Sequence, residues 1–523
     1  MTLKSKIYLS IAALTILFNF IFWNEKMGLN ITVFVILLCL ITYIINKDSA
    51  ISRNVVYSLI AVIYSGVMVI INNSGFSKFS LILSCIVTVG FIHQSQLRSV
   101  ISSTLTSLAS YTMFPVNALD AVNSAIDEHK NVAKLFKALR LTIIPLAVFL
   151  IFYGIYAFSN PTFNSYSNSF WDYVGIYLND IFINYPFKRI AFIFFGLFLV
   201  SGIIYKRNIK VFVKIDLSYL NNLIRDKYRK LVTHADEKNE MGKKFKGFFP
   251  YKMTSLLTEY RIGLILIVMV NLLLLILNII DISFVWFGFD SSQVGNLAYY
   301  VHNGTYYLIF SIVLSMTILL YFFRGNINFY SKNKVLKYGA YLWIFQNAVM
   351  AVSVALRNYY YIEYYYALSP KRVGVMIFLT LTFIGLISMF IKIYKKKTLF
   401  YLIKVNSLAV FLVMILMGSV NWDENIAKFN LQNPDKSQID LLYLLELSDA
   451  ALPVLYENKE LFDKEVKMKS GWRIDYVNGL KELEERKQNF IDEHELYTWL
   501  SWNYSDEKVN NYFKNNTFER VQK

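Results

Sequence analysis

The chain has 523 residues, of which 56% are apolar and 17% are charged, and its net charge is +17. This composition excludes a disordered chain and an ordinary soluble enzyme, because soluble domains carry roughly 25% charged residues. The apolar residues form runs of about eighteen, each long enough to cross ~30 Å of hydrocarbon as a helix. The composition therefore predicts a polytopic membrane protein.

Eleven segments are predicted to span the membrane. In chain order they are residues 7–23, 28–46, 55–72, 79–95, 141–158, 190–205, 262–280, 305–323, 338–356, 373–391 and 405–420. Helices are expected, because lipid offers backbone amides no partners and alternating barrel strands are absent. The predicted fold is all-α: a transmembrane helical bundle of about eleven spans with a small C-terminal soluble helical domain.

Four regions follow from this pattern. They are an N-terminal four-span segment (1–95), a cytoplasmic or interfacial amphipathic segment (96–140), a seven-span core (141–420) with a basic loop at 206–261, and a C-terminal extracytoplasmic domain (421–523). Residues 99–116 are apolar enough to be a further span. A crossing there would turn the basic loop outward, so a cytoplasmic or interfacial helix is expected.

Lys and Arg residues set the predicted orientation. With the N-terminus inside, cytoplasmic connections hold 32 of them and the opposite side holds 7, the asymmetry of a plasma-membrane (inner-membrane) protein. An odd number of spans then places residues 421–523 outside the cytoplasm. The basic loops are expected to contact anionic headgroups. Nucleic-acid binding is the disfavoured alternative, because basic loops beside a bilayer are typical of topology determinants.

Two segments outside the spans have distinctive patterns. Residues 117–140 alternate apolar and charged positions, as expected of a helix lying in the interface plane. Residues 159–187 are rich in Phe, Tyr and Trp, which predicts an aromatic belt or re-entrant loop at headgroup level. A sugar or lipid platform is the alternative interpretation of this aromatic segment.

The C-terminal region changes character and carries 14 basic and 20 acidic residues. Ser437 followed by Asp440 resembles a capping box at the start of a helix. Further helices are predicted at about 458–468, 473–496 and 505–518. Three tryptophans are expected to be buried in this domain: Trp472, Trp499 and Trp502.

The sequence lacks motifs for familiar chemistry. It contains no nucleotide-binding loop, nucleophile elbow or zinc-protease motif, and its five histidines are widely separated. Cys39 and Cys85 both lie in predicted spans, which argues against a disulfide framework or a thiolate metal site. No catalytic residue, cofactor or metal is predicted; the lack of a catalytic motif argues against an enzyme but leaves that question open.

Polar residues inside the predicted spans have two interpretations. Asn271, Gln346 and Asn347, together with Asn278 and Asn406, are expected to make interhelical hydrogen bonds of ~0.6 kcal/mol each; a substrate site is the alternative. No Asp, Glu, Lys or Arg lies inside a span as drawn, and Pro145 is the one proline in a span. Both observations lower the expectation of a transporter.

Charges at the ends of the spans form the candidate site. Asp281, His302, Arg357, Glu363 and Arg372 all fall on the predicted outer side. Charges at helix ends commonly extend toward the headgroups, which is the structural interpretation. The functional alternative is that these five side chains converge on one polar pocket.

Four passages carry a resemblance to a known family. They are Phe158-Ser159-Asn160-Pro161-Thr162-Phe163, Tyr300-Val301-His302-Asn303-Gly304, the segment Arg357 to Arg372, and the segment Asn421 to Asn430 followed by Asp440 and Tyr443 to Pro453. Residues 130–455 thereby resemble a bacterial membrane-protein family known as domain of unknown function four-one-seven-three, related to four-one-five-three. Ala367 and Ser369 stand where that family has Gly and Thr. The resemblance implies fold and location but no activity.

Two functions are open from sequence. The first is an envelope scaffold or sensory protein whose acidic C-terminal domain binds another envelope protein. The alternative is a transporter or membrane-embedded enzyme that acts on a lipid or envelope precursor through His302, Arg357, Glu363 and Arg372.

Overall fold

The structure is a computed structural model that describes residues 3–46, 52–112, 145–146, 148–150, 152–157, 159–184, 187–206, 210–225, 256–287, 297–432, 440–470 and 473–521. The predicted interfacial helix at 117–140 and most of the basic loop lie outside these residues. Within them the chain is almost entirely helical.

The described helices are labelled in chain order. They are α1 (Leu3–Phe22), α2 (Leu29–Ile45), α3 (Arg53–Asn72), α4 (Gly75–His93), α5 (Val100–Thr112), α6 (Pro161–Asn184), α7 (Phe187–Ile204), α8 (Lys210–Ser218), α9 (Leu256–Asp281), α10 (Leu297–Phe322), α11 (Lys334–Tyr365), α12 (Pro370–Tyr394), α13 (Leu399–Met417), α14 (Trp422–Leu431), α15 (Leu441–Leu445), α16 (Leu452–Glu457), α17 (Gly479–Leu496) and α18 (Tyr504–Val521). A π-helical turn, Ile282–Trp286, extends α9.

Nine helices among the described residues are long and apolar enough to cross a membrane: α1, α3, α4, α7 and α9 to α13. Two shorter apolar helices, Leu29–Ile45 and Val148–Ala157, coincide with the remaining predicted spans. The all-α polytopic bundle is therefore confirmed. The count of eleven crossings stays a prediction.

The membrane helices have two main apolar cores. One joins α1 to α4 with α7, around Leu14, Leu38 and Leu81, and is called the N-terminal bundle. The other joins α9 to α13 around Trp343 and is called the C-terminal bundle. Phe411 of α13 packs into a further cluster with residues of α3 and α4, so α13 connects the two bundles.

Helix α5 has an unusual distribution of side chains. Its Ser and Thr residues Ser103, Thr106, Ser107 and Ser110 are buried, whereas Ile101, Leu105 and Leu108 are exposed. The hydroxyl of Ser103 donates to the carbonyl oxygen of Val87 in α4 at 2.6 Å. A small polar inner face with an apolar outer face is typical of a helix in lipid. Residues 100–112 therefore pack against α4 with an apolar exterior, and 13 residues are too few to cross a bilayer.

The C-terminal domain contains α14 to α18 and one β-hairpin. Strands β1 (Glu465–Ser470) and β2 (Arg473–Asn478) pair antiparallel, with Val466 opposite Val477. The predicted helices at 458–468 and 473–496 are thus wrong over the hairpin, although α17 occupies the second from Gly479. Residues 465–478 alternate in polarity around Gly471, and this two-residue period favours a hairpin over a helix.

Asp440, and not Ser437, caps the first helix after the gap. The Asp440 carboxylate accepts a hydrogen bond from the backbone amide of Tyr443 at 3.1 Å, and α15 begins at Leu441. Asp440 therefore supplies the N-cap three residues before the amide it binds. Ser437 lies outside the described residues.

The C-terminal domain contacts the turn between α1 and α2. The backbone amide of Thr498 donates to the Glu25 carboxylate at 3.2 Å, and the amide of Leu29 donates to the carbonyl oxygen of Trp502 at 2.9 Å. The domain therefore lies at the opposite end of α1 from residue 3, the arrangement expected for an odd number of crossings.

Candidate functional site

A polar seam runs between the parallel helices α9 and α11. The Gln346 side-chain amide donates to the Asn271 side-chain oxygen at 3.0 Å, and the Asn278 amide donates to the Gln346 carbonyl oxygen at 3.2 Å. Asn406 of α13 likewise donates to Ser388 of α12 at 3.1 Å. Interhelical hydrogen bonding is therefore confirmed for these residues. Asn347 differs, because its side-chain amide donates at 2.8 Å to Trp343 within its own helix.

An ion pair lies at the C-terminal end of α9, beyond the hydrogen bonds of this seam. Nη2 of Arg357 is 2.6 Å from Oδ1 of Asp281, and the two side chains are 9% and 6% exposed. The second oxygen, Oδ2 of Asp281, is buried without a hydrogen-bond partner among the described residues. Burying either charge without the other costs free energy. The ion pair therefore favours the register of α9 and α11 that brings the two side chains together.

The helices that carry the ion pair are longer than the spans drawn from hydropathy. Helix α9 continues to Asp281 and α11 continues to Tyr365, beyond the span ends drawn from hydropathy. Arg357 therefore lies inside a helix of 32 residues. Lys392 in α12 is buried as well, and its ammonium donates to the carbonyl oxygen of Phe323 at 2.7 Å.

A cleft of about 760 Å³ opens between α11, α12, α13 and α14. Its walls are mainly apolar and aromatic: Tyr359, Ile362, Tyr366, Leu368, Val373, Met376, Ile377, Val413, Leu416, Met417, Trp422 and Phe429. Glu363 and Arg372 supply its charged lining, and Thr380 adds a hydroxyl. The volume is within the range of sites that enclose small ligands.

Local backbone structure brings the two charges to this cleft. Helix α11 ends where Tyr366 adopts φ 46°, and α12 starts with Pro370 at its first position. Proline is favoured at this position because a backbone N–H there would have no carbonyl partner within the helix, so the missing N–H of proline costs nothing. Ala367, which replaces the family glycine, has no positive φ, since Tyr366 takes that conformation. The substitution therefore leaves the turn intact.

Arg372 is held in a fixed position beside the cleft. Its guanidinium carbon lies 3.5 Å from the ring centroid of Tyr361, and Nη1 is 3.4 Å from the side-chain oxygen of Asn358. The arginine is almost completely buried. A guanidinium stacked on an aromatic ring keeps its charge while its orientation is fixed.

The C-terminal domain closes one side of the cleft through α14. Asn430 accepts a hydrogen bond from the Leu368 amide at 2.6 Å and returns one to the Leu368 carbonyl oxygen at 3.0 Å. This pair of bonds attaches α14 to the turn between α11 and α12. Sequence reasoning did not assign Asn430 a role, although the family-like segment 421–430 contains it.

Glu424 attaches α14 to the end of the domain. Its carboxylate lies 2.7 Å from the Lys428 ammonium and 2.6 Å from the Lys508 ammonium. Partial burial alone would raise the pKa of Glu424, but the two ammonium groups outweigh it and lower the pKa below its ordinary value. The carboxylate is therefore charged at neutral pH and connects α14 to α18.

The structure places the five predicted site residues unequally. It brings Asp281 to Arg357 and places Glu363 in the same cleft as Arg372. For His302 it describes the backbone within α10 but not the side chain. The meeting of all five in one pocket stays a prediction. Sequence reasoning missed the aromatic cleft wall, because Tyr359, Trp422 and Phe429 are far apart in sequence.

A family model described as Domain of unknown function (DUF4153) matches residues 32–458. The chain belongs to this family. The match confirms the resemblance drawn from the four passages, and it identifies the second of the two related families. The DUF4153 region includes the polar seam, the cleft and α14, and it ends before the β-hairpin. No curated protein and no solved structure matches the chain.

Proposed function

We propose that this DUF4153 protein binds an amphiphile, a lipid or a lipid-linked envelope precursor, in the cleft between α11, α12, α13 and α14. The observation that carries this proposal is an apolar cavity of about 760 Å³ with Arg372 and Glu363 in its lining. Apolar walls suit acyl or prenyl chains, and a fixed guanidinium suits a phosphate or carboxylate headgroup.

Orientation and location belong to the same proposal. The membrane is the bacterial plasma (inner) membrane, the N-terminus is cytoplasmic, and the C-terminal domain is extracytoplasmic. The charge asymmetry of the connections supports this orientation. The cleft then opens at the outer end of the C-terminal bundle, where lipid headgroups are available from the adjacent leaflet.

The two charged groups narrow the class of ligand. Arg372 favours an anionic group, whereas Glu363 favours a ligand that also carries an amine or hydroxyl donor. A headgroup with both features matches the pair better than a simple fatty acid. Transport of this ligand, or a reaction on it, would use His302, Arg357, Glu363 and Arg372. Binding alone accounts for the geometry of the cleft.

Filling the cleft tests the proposal. Val413 lines the cavity, whereas Val410, on the same helix, is 41% exposed on its exterior. Val413→Trp is expected to reduce the lipid retained by the purified protein in native mass spectrometry, and Val410→Trp should retain it. Equal retention by both variants and by the parent chain would contradict binding in the cleft.

Charge neutralisation gives an independent test at the polar end. Arg372→Gln should weaken retention of anionic amphiphiles, while Lys371→Gln, at the exposed neighbouring position, should not. A tenfold weakening corresponds to about 1.4 kcal/mol, which is close to the lower end of the ~1.5–3 kcal/mol expected of a hydrogen bond to a charged group. Selective loss of uncharged lipids would indicate a structural effect instead.

A scaffold or sensory role is the second candidate. It is favoured by the surplus of acidic residues in the C-terminal domain, where Glu484, Glu485 and Glu493 have substantially exposed side chains. The partner would be an envelope protein with a basic surface. A photo-crosslinking residue at position 485 of the full chain should give a discrete adduct that Glu484→Lys reduces. Absence of any adduct above background would argue against this role.

A further inference from the structure

The segment that joins α17 to α18 exposes large apolar side chains at the end of the bundle. Leu496 is 80% exposed, Trp499 is 71% exposed and Trp502 is 42% exposed. Sequence analysis predicted that both tryptophans would be buried in the domain core, and the structure places them outside it. We propose that Leu496, Trp499 and Trp502 insert into the headgroup and upper acyl region of the bilayer.

Contacts with the membrane helices fix the depth of this segment. The Leu29 amide, which begins α2, donates to the carbonyl oxygen of Trp502, and the Lys26 amide donates to the Ser501 hydroxyl at 2.8 Å. Leu500 packs against the apolar core of the N-terminal bundle. The segment is therefore at the level where α1 ends and α2 begins.

The polar groups of this junction are turned inward. Glu25 accepts hydrogen bonds from Thr498 and Ser501, and the Lys26 ammonium lies 3.3 Å from Asp449 and 3.8 Å from Glu493. The charges of Glu25 and Lys26 are thus engaged within the protein. The exposed side chains Leu496 and Trp499 are left for an apolar surface.

A second aromatic group lies at the same end of the bundle. The Trp23 ring, just after α1, packs on Phe192, and the guanidinium carbon of Arg189 lies 5.6 Å from the Trp23 ring centroid. Tryptophan beside Arg or Lys at the end of a span is typical of the membrane interface, since the ring has an apolar body and a polar N–H. Trp499 and Trp502 extend this interfacial group onto the C-terminal domain.

Lipid is the occupant that these positions favour. The apolar exterior of α2, including Val33 and Leu40, is exposed on the helix whose first residue contacts Trp502. The segment therefore adjoins the start of a helix whose exposed side chains are apolar, as expected for contact with acyl chains. A soluble protein partner at this depth would have to displace lipid.

Insertion of this segment into lipid would attach the C-terminal domain to the membrane whether or not a ligand occupies the cleft. The hydrogen bonds of Glu25 and Leu29 hold the segment to the N-terminal bundle, and those of Asn430 hold α14 to the C-terminal bundle. Insertion of Leu496 and Trp499 adds a contact with the leaflet itself. The failure of amphiphile binding in the cleft would leave this inference untouched.

Collision accessibility of spin labels tests the inference on the full chain in phospholipid vesicles. A nitroxide on Trp499→Cys should collide more with oxygen than with a water-soluble nickel chelate, because oxygen concentrates in lipid. Lys481→Cys, whose native side chain is 73% exposed on α17, should give the opposite ratio. The unsubstituted chain supplies the labelling background, since Cys39 and Cys85 are buried.

A label on Leu496→Cys repeats the measurement at a second exposed position, so that failure of one variant to assemble leaves the test intact. Greater oxygen collision at both positions supports insertion. Greater nickel collision at both would overturn it, because the side chains would then face water. Protection from both reagents would also overturn it, since a protein contact would be covering the segment.

Discussion

Two buried charged residues of this membrane protein, Asp281 and Arg357, depend on each other for stability. Asp281 and Arg357 are each almost fully buried, and the Asp281 carboxylate lies 2.6 Å from the Arg357 guanidinium. An isolated buried charge is strongly unfavourable, whereas a paired one is close to neutral against an apolar replacement. The pair therefore makes each partner necessary to the other.

Removal of one partner should expose this dependence. Asp281→Asn removes the carboxylate that pairs with the buried Arg357 and is expected to destabilise the protein by about 3–5 kcal/mol, measured by unfolding in mixed micelles. Glu259→Gln is the matched control, because its pair with Arg324 at 3.8 Å is more exposed and should contribute about 0–1 kcal/mol. Equal effects of the two substitutions would contradict a larger contribution from the buried pair.

The pKa of Glu424 predicts a pH dependence of the attachment of α14. Its folded-state pKa is below the ordinary 4.5, so its contribution to stability is present above pH 4.5 and is lost as pH falls through the folded value. Glu424→Gln should therefore reduce the acid-induced increase in hydrogen exchange of α14 and α18. Glu485→Gln, whose carboxylate is more exposed, should leave that acid response unchanged.

Among helices, close packing depends on small residues at crossing points. A Cβ atom at Gly90 of α4 would overlap the carbonyl oxygen of Ser103 in α5. The overlapping atom belongs to the backbone and cannot rotate away. Helices α4 and α5 would therefore have to separate if residue 90 carried a side chain.

Gly90→Ala should accordingly destabilise the N-terminal bundle by about 1–3 kcal/mol, the usual effect of overpacking. Gly374→Ala in α12 is the control, since no atom of the described residues lies within 4 Å of a Cβ there. That substitution should stabilise the helix by up to about 1 kcal/mol. Hydrogen exchange of residues 100–112 should increase in the first variant alone, and an unchanged rate in both would contradict the close crossing.

Hydropathy was sufficient to predict the membrane helices because lipid imposes length and composition on each span. Hydropathy was insufficient to predict the residues at which these helices end. Hydropathy ends the spans at residues 280 and 356, whereas α9 reaches Asp281 and α11 continues to Tyr365, because a paired charge is tolerated in a helix that hydropathy terminates. The hairpin at 465–478 was missed for another reason, since short alternating segments can be assigned to either helix or strand.

The candidate site was only partly predictable. Its charged residues stand out as Glu363 and Arg372 in an aromatic segment between spans, and both line the cleft. The opposite wall comes from Trp422 and Phe429, which reach the site through tertiary packing of α14. Nothing local in the sequence indicates that Asn430 would bind the Leu368 backbone.

At the scale of the whole molecule, the two ends of the bundle differ in composition. One end contacts the C-terminal domain, with its surplus of acidic residues. The other gathers basic connections, where Arg98 pairs with Asp216 at 3.1 Å and Lys397 donates to Asn222 at 2.7 Å. Positive charge thus collects at the end where α1 begins, as topology by cytoplasmic Lys and Arg predicts.

Reporter fusions test this orientation directly. A reporter active only outside the cytoplasm should be active after Lys523 and inactive after Lys238 in the basic loop, and a cytoplasm-active reporter should give the reverse. The physical reason is that moving the 14 basic residues of 206–261 outward opposes the positive-inside preference, which short loops obey. Cytoplasmic activity after Lys523 would place the cleft and the C-terminal domain at the inner leaflet. Amphiphile binding would then have to be sought among cytoplasmic lipids, although the local geometry of Arg372 and Glu363 would be unchanged.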